Sequence, residues 1–157
     1  MTMRANRALA LGAMALVLAG CQSMAKIDTT GKAFDTQAGT PAEQRLTMAT
    51  AQYEAGNYGL AERHFRLAVE SRPENGTAWL GLAAAYDRLG RFDHADRAYA
   101  EVLRLEGRKA SILNNQGYSM ILRGELERAR TLLSEARALA PGNAIIEGNW
   151  KLAHAEG

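Results

Sequence analysis

The strongest constraint on this chain is a spacing of thirty-four residues, at which small, apolar and turn-forming residues recur in register. Gly56, Gly90 and Gly124 stand one period apart, as do Ala61, Ala95 and Ala129. Phe65, Tyr99 and Leu133 form a third column, Ala68, Val102 and Ala136 a fourth, and Pro73 lies two periods before Pro141. A period of this length marks an array of stacked supersecondary units, each unable to bury its apolar face alone. The columns divide the chain into three copies, 42–75, 76–109 and 110–143.

Each copy reads as helix, turn, helix. Trp79, Leu82 and Tyr86 are spaced i, i+3, i+7 and share one helix face, and Tyr99 and Val102 extend the face begun by Ala95 on the next helix. The eighth residue of each first helix is Ala49, Ala83 or Gly117, and the second helix carries Ala61, Ala95 or Ala129, so two axes can approach closely. The glycine of each turn takes a left-handed conformation at no steric cost. Behind the third copy, Ile146, Trp150 and Ala153 form a stripe flanked by Ile145 and Leu152, which predicts a capping helix over 144–155 that covers the last apolar face. The fold class expected is all-α, a helix-turn-helix solenoid of three repeats and a cap. With the early Trp79 and Tyr86, the later Ala95 and Tyr99 and the closing Pro141, the pattern resembles the tetratricopeptide repeat, which implies this fold and a protein-binding role.

The first repeat diverges most, with Arg45 in place of Trp79 and Gln52 in place of Tyr86, as a terminal repeat with one watered side can. Ahead of it the composition changes twice. Arg4 and Arg7 precede an apolar run from Ala8 to Ala19, too short for the roughly twenty residues of a membrane span but suited to a secretory signal. Leu18-Ala19-Gly20-Cys21 then resembles the lipobox of bacterial lipoproteins. That resemblance implies a signal peptide over 1–20 and a diacylglycerol thioether on Cys21, the chain's one cysteine, which has no partner for a disulfide. Several acyl chains would anchor the protein firmly to a membrane. Gln22 stands where an aspartate commonly retains such lipoproteins at the inner membrane, so the expected location is the outer membrane, facing the periplasm. Residues 21–41 lack helical periodicity and read as a tether, with a reach on the order of 25 Å, and Pro41 suits the first turn of a helix.

Charge and chemistry-bearing residues narrow the function. Nineteen basic residues face seventeen acidic ones, and removal of Arg4 and Arg7 with the leader balances them, which leaves no concentrated basic surface for nucleic acid. His64, His94 and His154 do not recur at the repeat period or fall near the cysteine, so neither a zinc site nor a Cys/His nucleophile pair is indicated. No phosphate-binding glycine loop or Gly-x-Ser-x-Gly elbow appears. The expectation is a binding scaffold, with no catalytic residue, metal, cofactor or small-molecule substrate, whose partner is a protein.

In such solenoids the first helices line a concave groove. The residues expected to face it are Leu46, Thr50 and Tyr53 from the first repeat, Leu80, Ala84 and Asp87 from the second, and Asn114, Asn115, Tyr118 and Leu122 from the third. This mixture of apolar and amide groups suits a peptide, whose main chain the asparagines can satisfy. Simple helix solvation or capping explains Asn114 and Asn115 equally well. Tetratricopeptide domains that clamp a C-terminal carboxylate use Lys, Arg and Asn in these columns, whereas Leu46, Thr50 and Gly81 stand here. The run Leu113-Asn114-Asn115-Gln116-Gly117-Tyr118-Ser119, with Arg123-Gly124-Glu125-Leu126 and Ala138-Leu139-Ala140-Pro141-Gly142-Asn143, is similar to the TadD group, lipoproteins of tight-adherence (Flp-type) pilus assembly. Gln116 departs from the leucine usual there. The resemblance implies a pilotin-like adaptor that helps a secretin reach or assemble in the outer membrane. The alternatives are a lipoprotein adaptor in another envelope process, such as outer-membrane protein assembly or peptidoglycan synthesis, and a regulator or subunit of a hydrolase.

Overall fold

The computed structural model describes residues 40–155. The signal peptide, Cys21 and all of the tether but its last two residues lie outside the described residues. The described chain forms seven α-helices and no strand: α1 (Pro41–Glu54), α2 (Tyr58–Ser71), α3 (Gly76–Arg88), α4 (Phe92–Glu106), α5 (Ala110–Leu122), α6 (Leu126–Leu139) and α7 (Ala144–Ala155). The all-α helix-turn-helix solenoid expected from the period is the observed fold.

Local chemistry sets where the helices start. Thr40 caps α1 in a reciprocal capping box: its hydroxyl accepts from the Glu43 N–H and the Glu43 carboxylate accepts from the Thr40 N–H at 2.7 Å, with Pro41 at the first helical position. Hydrogen bonds to that carboxylate, led by the one from the Thr40 backbone and followed by the Thr40 side chain, hold the Glu43 carboxyl below its ordinary range. Gly56, Gly90 and Gly124 have φ of +78°, +68° and +75°, which lets each helical pair turn back on itself without a Cβ clash.

Packing follows the small-residue columns. Ala49, Ala61, Ala83, Ala95 and Ala129 are fully buried, and each helical pair of a repeat is packed along its length. At the eighth position of α5 even alanine is too large: a Cβ on Gly117 would lie 2.5 Å from Leu133 Cγ. Gly81 has the same constraint, with Phe65 Cε1 2.2 Å from the place a Cβ would take. The stripe of α3 is confirmed, since Leu82 and Tyr86 enter the core and Trp79 packs against it while donating from Nε1 to the Pro73 carbonyl at 2.8 Å. On α7, Ile146 and Ala153 are buried and Trp150 packs on Leu133 and its neighbours, while Leu152 is exposed.

The first helices form one layer, since α1 touches α3, α3 touches α5 and α5 touches α7; successive second helices do not approach one another in this way. The array therefore curves with α1, α3, α5 and α7 on its inner side. Between repeats α2 lies along α3 and α6 along α7, whereas α4 meets α5 over a much shorter stretch.

Candidate functional site

The inner layer brings part of the expected groove into one small slot, lined by Tyr53 of α1, Ala84, Asp87 and Arg88 of α3, Tyr99 of α4, and Asn115 and Tyr118 of α5. The ninth and twelfth residues of successive first helices converge there because the 34-residue period stacks equivalent helix faces. The enclosed space is only about 10 Å³, no more than one water molecule needs.

Several groove residues are more enclosed than the sequence suggests. Leu46 and Leu80 belong to the core around Phe65 and Tyr99, and Ala84, Asp87, Asn114 and Asn115 are buried. The first helices touch one another along the inner side, so their fifth and sixth positions act in packing as much as in lining. Thr50, Tyr53 and Tyr118 are half-buried, and Thr50 donates its hydroxyl to the Leu46 carbonyl. Leu122 is exposed at the end of α5 and lines no part of the slot. Asn114 is 1% exposed, and its Oδ1 accepts from Asn149 Nδ2 at 2.9 Å, so this side chain joins α5 to α7. Its neighbour differs in kind. Asn115 is 5% exposed and lines the slot; its Oδ1 accepts from Asn114 Nδ2 at 3.4 Å, while its own Nδ2 is buried without a hydrogen-bond partner.

Asp87 is the electrostatic centre. Its carboxylate accepts from the Tyr99 hydroxyl at 2.9 Å and from Ser119 Oγ at 2.6 Å, and the Arg123 guanidinium lies 3.8 Å away. Burial pushes the Asp87 carboxyl above its ordinary value, against the opposing pull of Ser119, Tyr99 and Arg123. Burial likewise pushes the Tyr53 and Tyr99 hydroxyls up, so both are neutral donors near neutral pH. Tyr53 stacks edge-on with Tyr58 at 5.2 Å, and Arg88 sits 4.5 Å over the Tyr58 ring. The slot is thus lined by aromatic rings, a buried carboxylate, a buried amide side chain and an arginine. Nothing in this set resembles a nucleophile with an adjacent base, and among the described residues no group of three His, Cys, Asp or Glu side chains is placed to hold a metal ion.

Residues 46–95 and 85–144 match the tetratricopeptide repeat family. The chain belongs to that family. A search of curated proteins returns no match. Among solved structures, the tetratricopeptide domain of Arabidopsis OM64 is similar over 74% of this chain and 96% of that one, with a TM-score of 0.65 at 17% identity. The Yersinia enterocolitica type III secretion chaperone SycD, in complex with a peptide of the translocator YopD, is similar over 73% and 92%, with a TM-score of 0.61 at 20% identity. The Pseudomonas aeruginosa pilF structure matches 73% of this chain at 25% identity and a TM-score of 0.64, and this chain spans about half of it, 53%.

As a tetratricopeptide array the chain presents a protein-interaction scaffold. Arg88 and Tyr99 line the slot without being among the groove residues expected from sequence. Arg88 follows Asp87 at a position the repeat register already marks as inner-facing, so it was findable. Tyr99 reads from the sequence as a packing residue, and it does pack; its hydroxyl also donates to Asp87, which lines the slot with it.

Proposed function

We propose that this tetratricopeptide protein is a lipid-anchored, periplasm-facing outer-membrane adaptor for assembly of a Flp-type pilus or a related secretion system, and that it holds a segment of a secretin in the groove formed by its first helices. The observation that carries the binding surface is the slot itself, where Asn115, a buried amide whose Nδ2 has no hydrogen-bond partner, stands beside Tyr53, Asp87 and Tyr118. A peptide carbonyl would supply the missing acceptor, and the aromatic walls would supply area. The envelope assignment is supported by the lipobox ending at Cys21 and by the Asn114-Asn115 run with its flanking motifs. Similarity to pilF, and to a secretion chaperone that holds a translocator peptide on the same fold, agrees with this reading.

The test is the double variant Asn115→Ala, Tyr118→Ala. Helicity and melting should stay close to the parent, because Asn115 Nδ2 has no partner to lose, its Oδ1 accepts only a long bond of 3.4 Å from Asn114 Nδ2, and Tyr118 is half-buried. Capture of the secretin should weaken by a factor of ten to several hundred, since each hot-spot side chain truncated costs about 1–2 kcal/mol or more. Parental secretin capture and pilus assembly in the double variant would contradict the proposal.

A further inference from the structure

The junction between repeats two and three departs from the other inter-repeat junctions in several independent ways. At the first junction Arg72-Pro73-Glu74-Asn75 joins α2 to α3, and Asn75 Oδ1 caps α3 by accepting from the Ala78 N–H at 3.0 Å. At the third, Ala140-Pro141-Gly142-Asn143 joins α6 to α7, and Asn143 Oδ1 accepts from the N–H groups of Ile145 and Ile146. Between α4 and α5 the corresponding residues are Glu106-Gly107-Arg108-Lys109. Gly107, at φ +72°, replaces the proline, and Lys109 supplies no side-chain cap. The stiff residue and the cap that fix the other two junctions are both missing here.

Packing across this junction is also different. The α4–α5 seam is the shortest of the three, and the hydrophobic core divides there: one cluster runs through repeats one and two and ends at Ile112, while Leu113, Met120, Leu133, Ala136, Ile146 and Ala153 belong to others. Gln116 stands where the second repeat has buried Leu82. Buried polar atoms without partners are rare, and the three found among the described side chains, Asn115 Nδ2, Gln116 Oε1 and Arg123 Nε, all belong to α5 or the residue that ends it. What bridges the seam is mostly polar, Ser119 to Asp87 and Arg123 to Asp96 at 2.6 and 2.9 Å, with Ile112 the one buried hydrophobic residue of α5 that joins the first cluster; Arg108 ties the linker itself to Glu135 of α6.

We propose that Gly107–Lys109 is a hinge, about which repeats one and two move as one block and repeat three with α7 as another. Hinges concentrate a change of φ and ψ in a few residues between rigid units, and a seam held by hydrogen bonds with unsatisfied neighbours has alternatives that a packed apolar seam lacks. Tyr53, Ala84, Asp87, Arg88 and Tyr99 lie on the first block and Asn115 and Tyr118 on the second, so the hinge sets the width of the slot. The closed slot is one end of this motion. The hinge is a property of the chain alone and stands whether or not a secretin is its partner.

Electron–electron double resonance on spin labels tests it in the full chain, purified in detergent with Cys21→Ser so that introduced cysteines alone react. The pair Arg63→Cys, Thr131→Cys spans the hinge; Arg63→Cys, Arg97→Cys and Thr131→Cys, Lys151→Cys each lie within one block, and all four sites are exposed. The spanning pair should give a distance distribution at least twice as broad as either control, or two resolved distances. Lys109→Asn, which supplies the missing cap of α5, should narrow it toward the width of the controls, as should Gln116→Leu alone, which leaves the linker untouched and restores the apolar residue of the second repeat. A spanning distribution as narrow as the controls overturns the proposal, and so does one that neither variant narrows.

Discussion

Two positions show how little room the array leaves. A Cβ on Gly117 would collide with Leu133, so Gly117→Ala should destabilise the domain by roughly 1–3 kcal/mol through overpacking. Ala95→Leu, at a fully buried helix interface, should cost a similar amount, and denaturant unfolding checks both. Asp87 makes the opposite kind of prediction. Its pKa is raised in the folded state, so its contribution to stability is full below the ordinary aspartate value and is lost as pH rises through the raised one. The stability of the parent relative to Asp87→Asn should therefore increase as pH falls from neutrality toward the carboxylate range. Melting curves of the two proteins across that window test the sign; a difference that stays flat or shrinks on acidification would contradict the burial argument. The sequence announced the glycine and alanine columns because steric limits repeat with the period. It did not announce the burial of Asp87, which depends on Ser119 and Arg123 from a different repeat, residues with no periodic signature.

At the scale of elements, helix ends were legible wherever a capping chemistry marked them. Thr40, Pro41 and Glu43 write the start of α1 in three nearby residues, and the three turn glycines locate the bends inside the repeats. Asn75→Ala should cost about 1 kcal/mol by leaving the first turn of α3 uncapped, whereas Lys109→Asn should stabilise α5 by a few tenths to about 1 kcal/mol. Chemical denaturation of the two single variants should give shifts of opposite sign. The groove was only partly legible. Counting outward positions placed Tyr53, Ala84, Asp87, Asn115 and Tyr118 on one wall, yet it treated Leu46, Leu80 and Asn114 as open to a ligand. The period states which residues share a face, and does not state how tightly neighbouring first helices close over that face. Asn114 in particular is taken up by Asn149, a partner thirty-five residues away on the capping helix.

For the whole molecule, the proposed function makes the repeat array a display surface whose position in the cell would be set by residues ahead of it. If Cys21 carries the lipid, Cys21→Ser should abolish fatty-acid incorporation and release the protein from the outer-membrane fraction, and metabolic labelling with fractionation reads both; lipid on the variant would rule out this anchor. The central claim is that the groove of first helices, and not the outer layer of second helices, holds the secretin. Site-specific photo-crosslinking tests it most directly, with the reactive group placed at Tyr118 in the slot or at Thr131 on the exposed side of α6. A secretin adduct is expected from Tyr118 and none from Thr131. Adducts from Thr131 alone would contradict the claim.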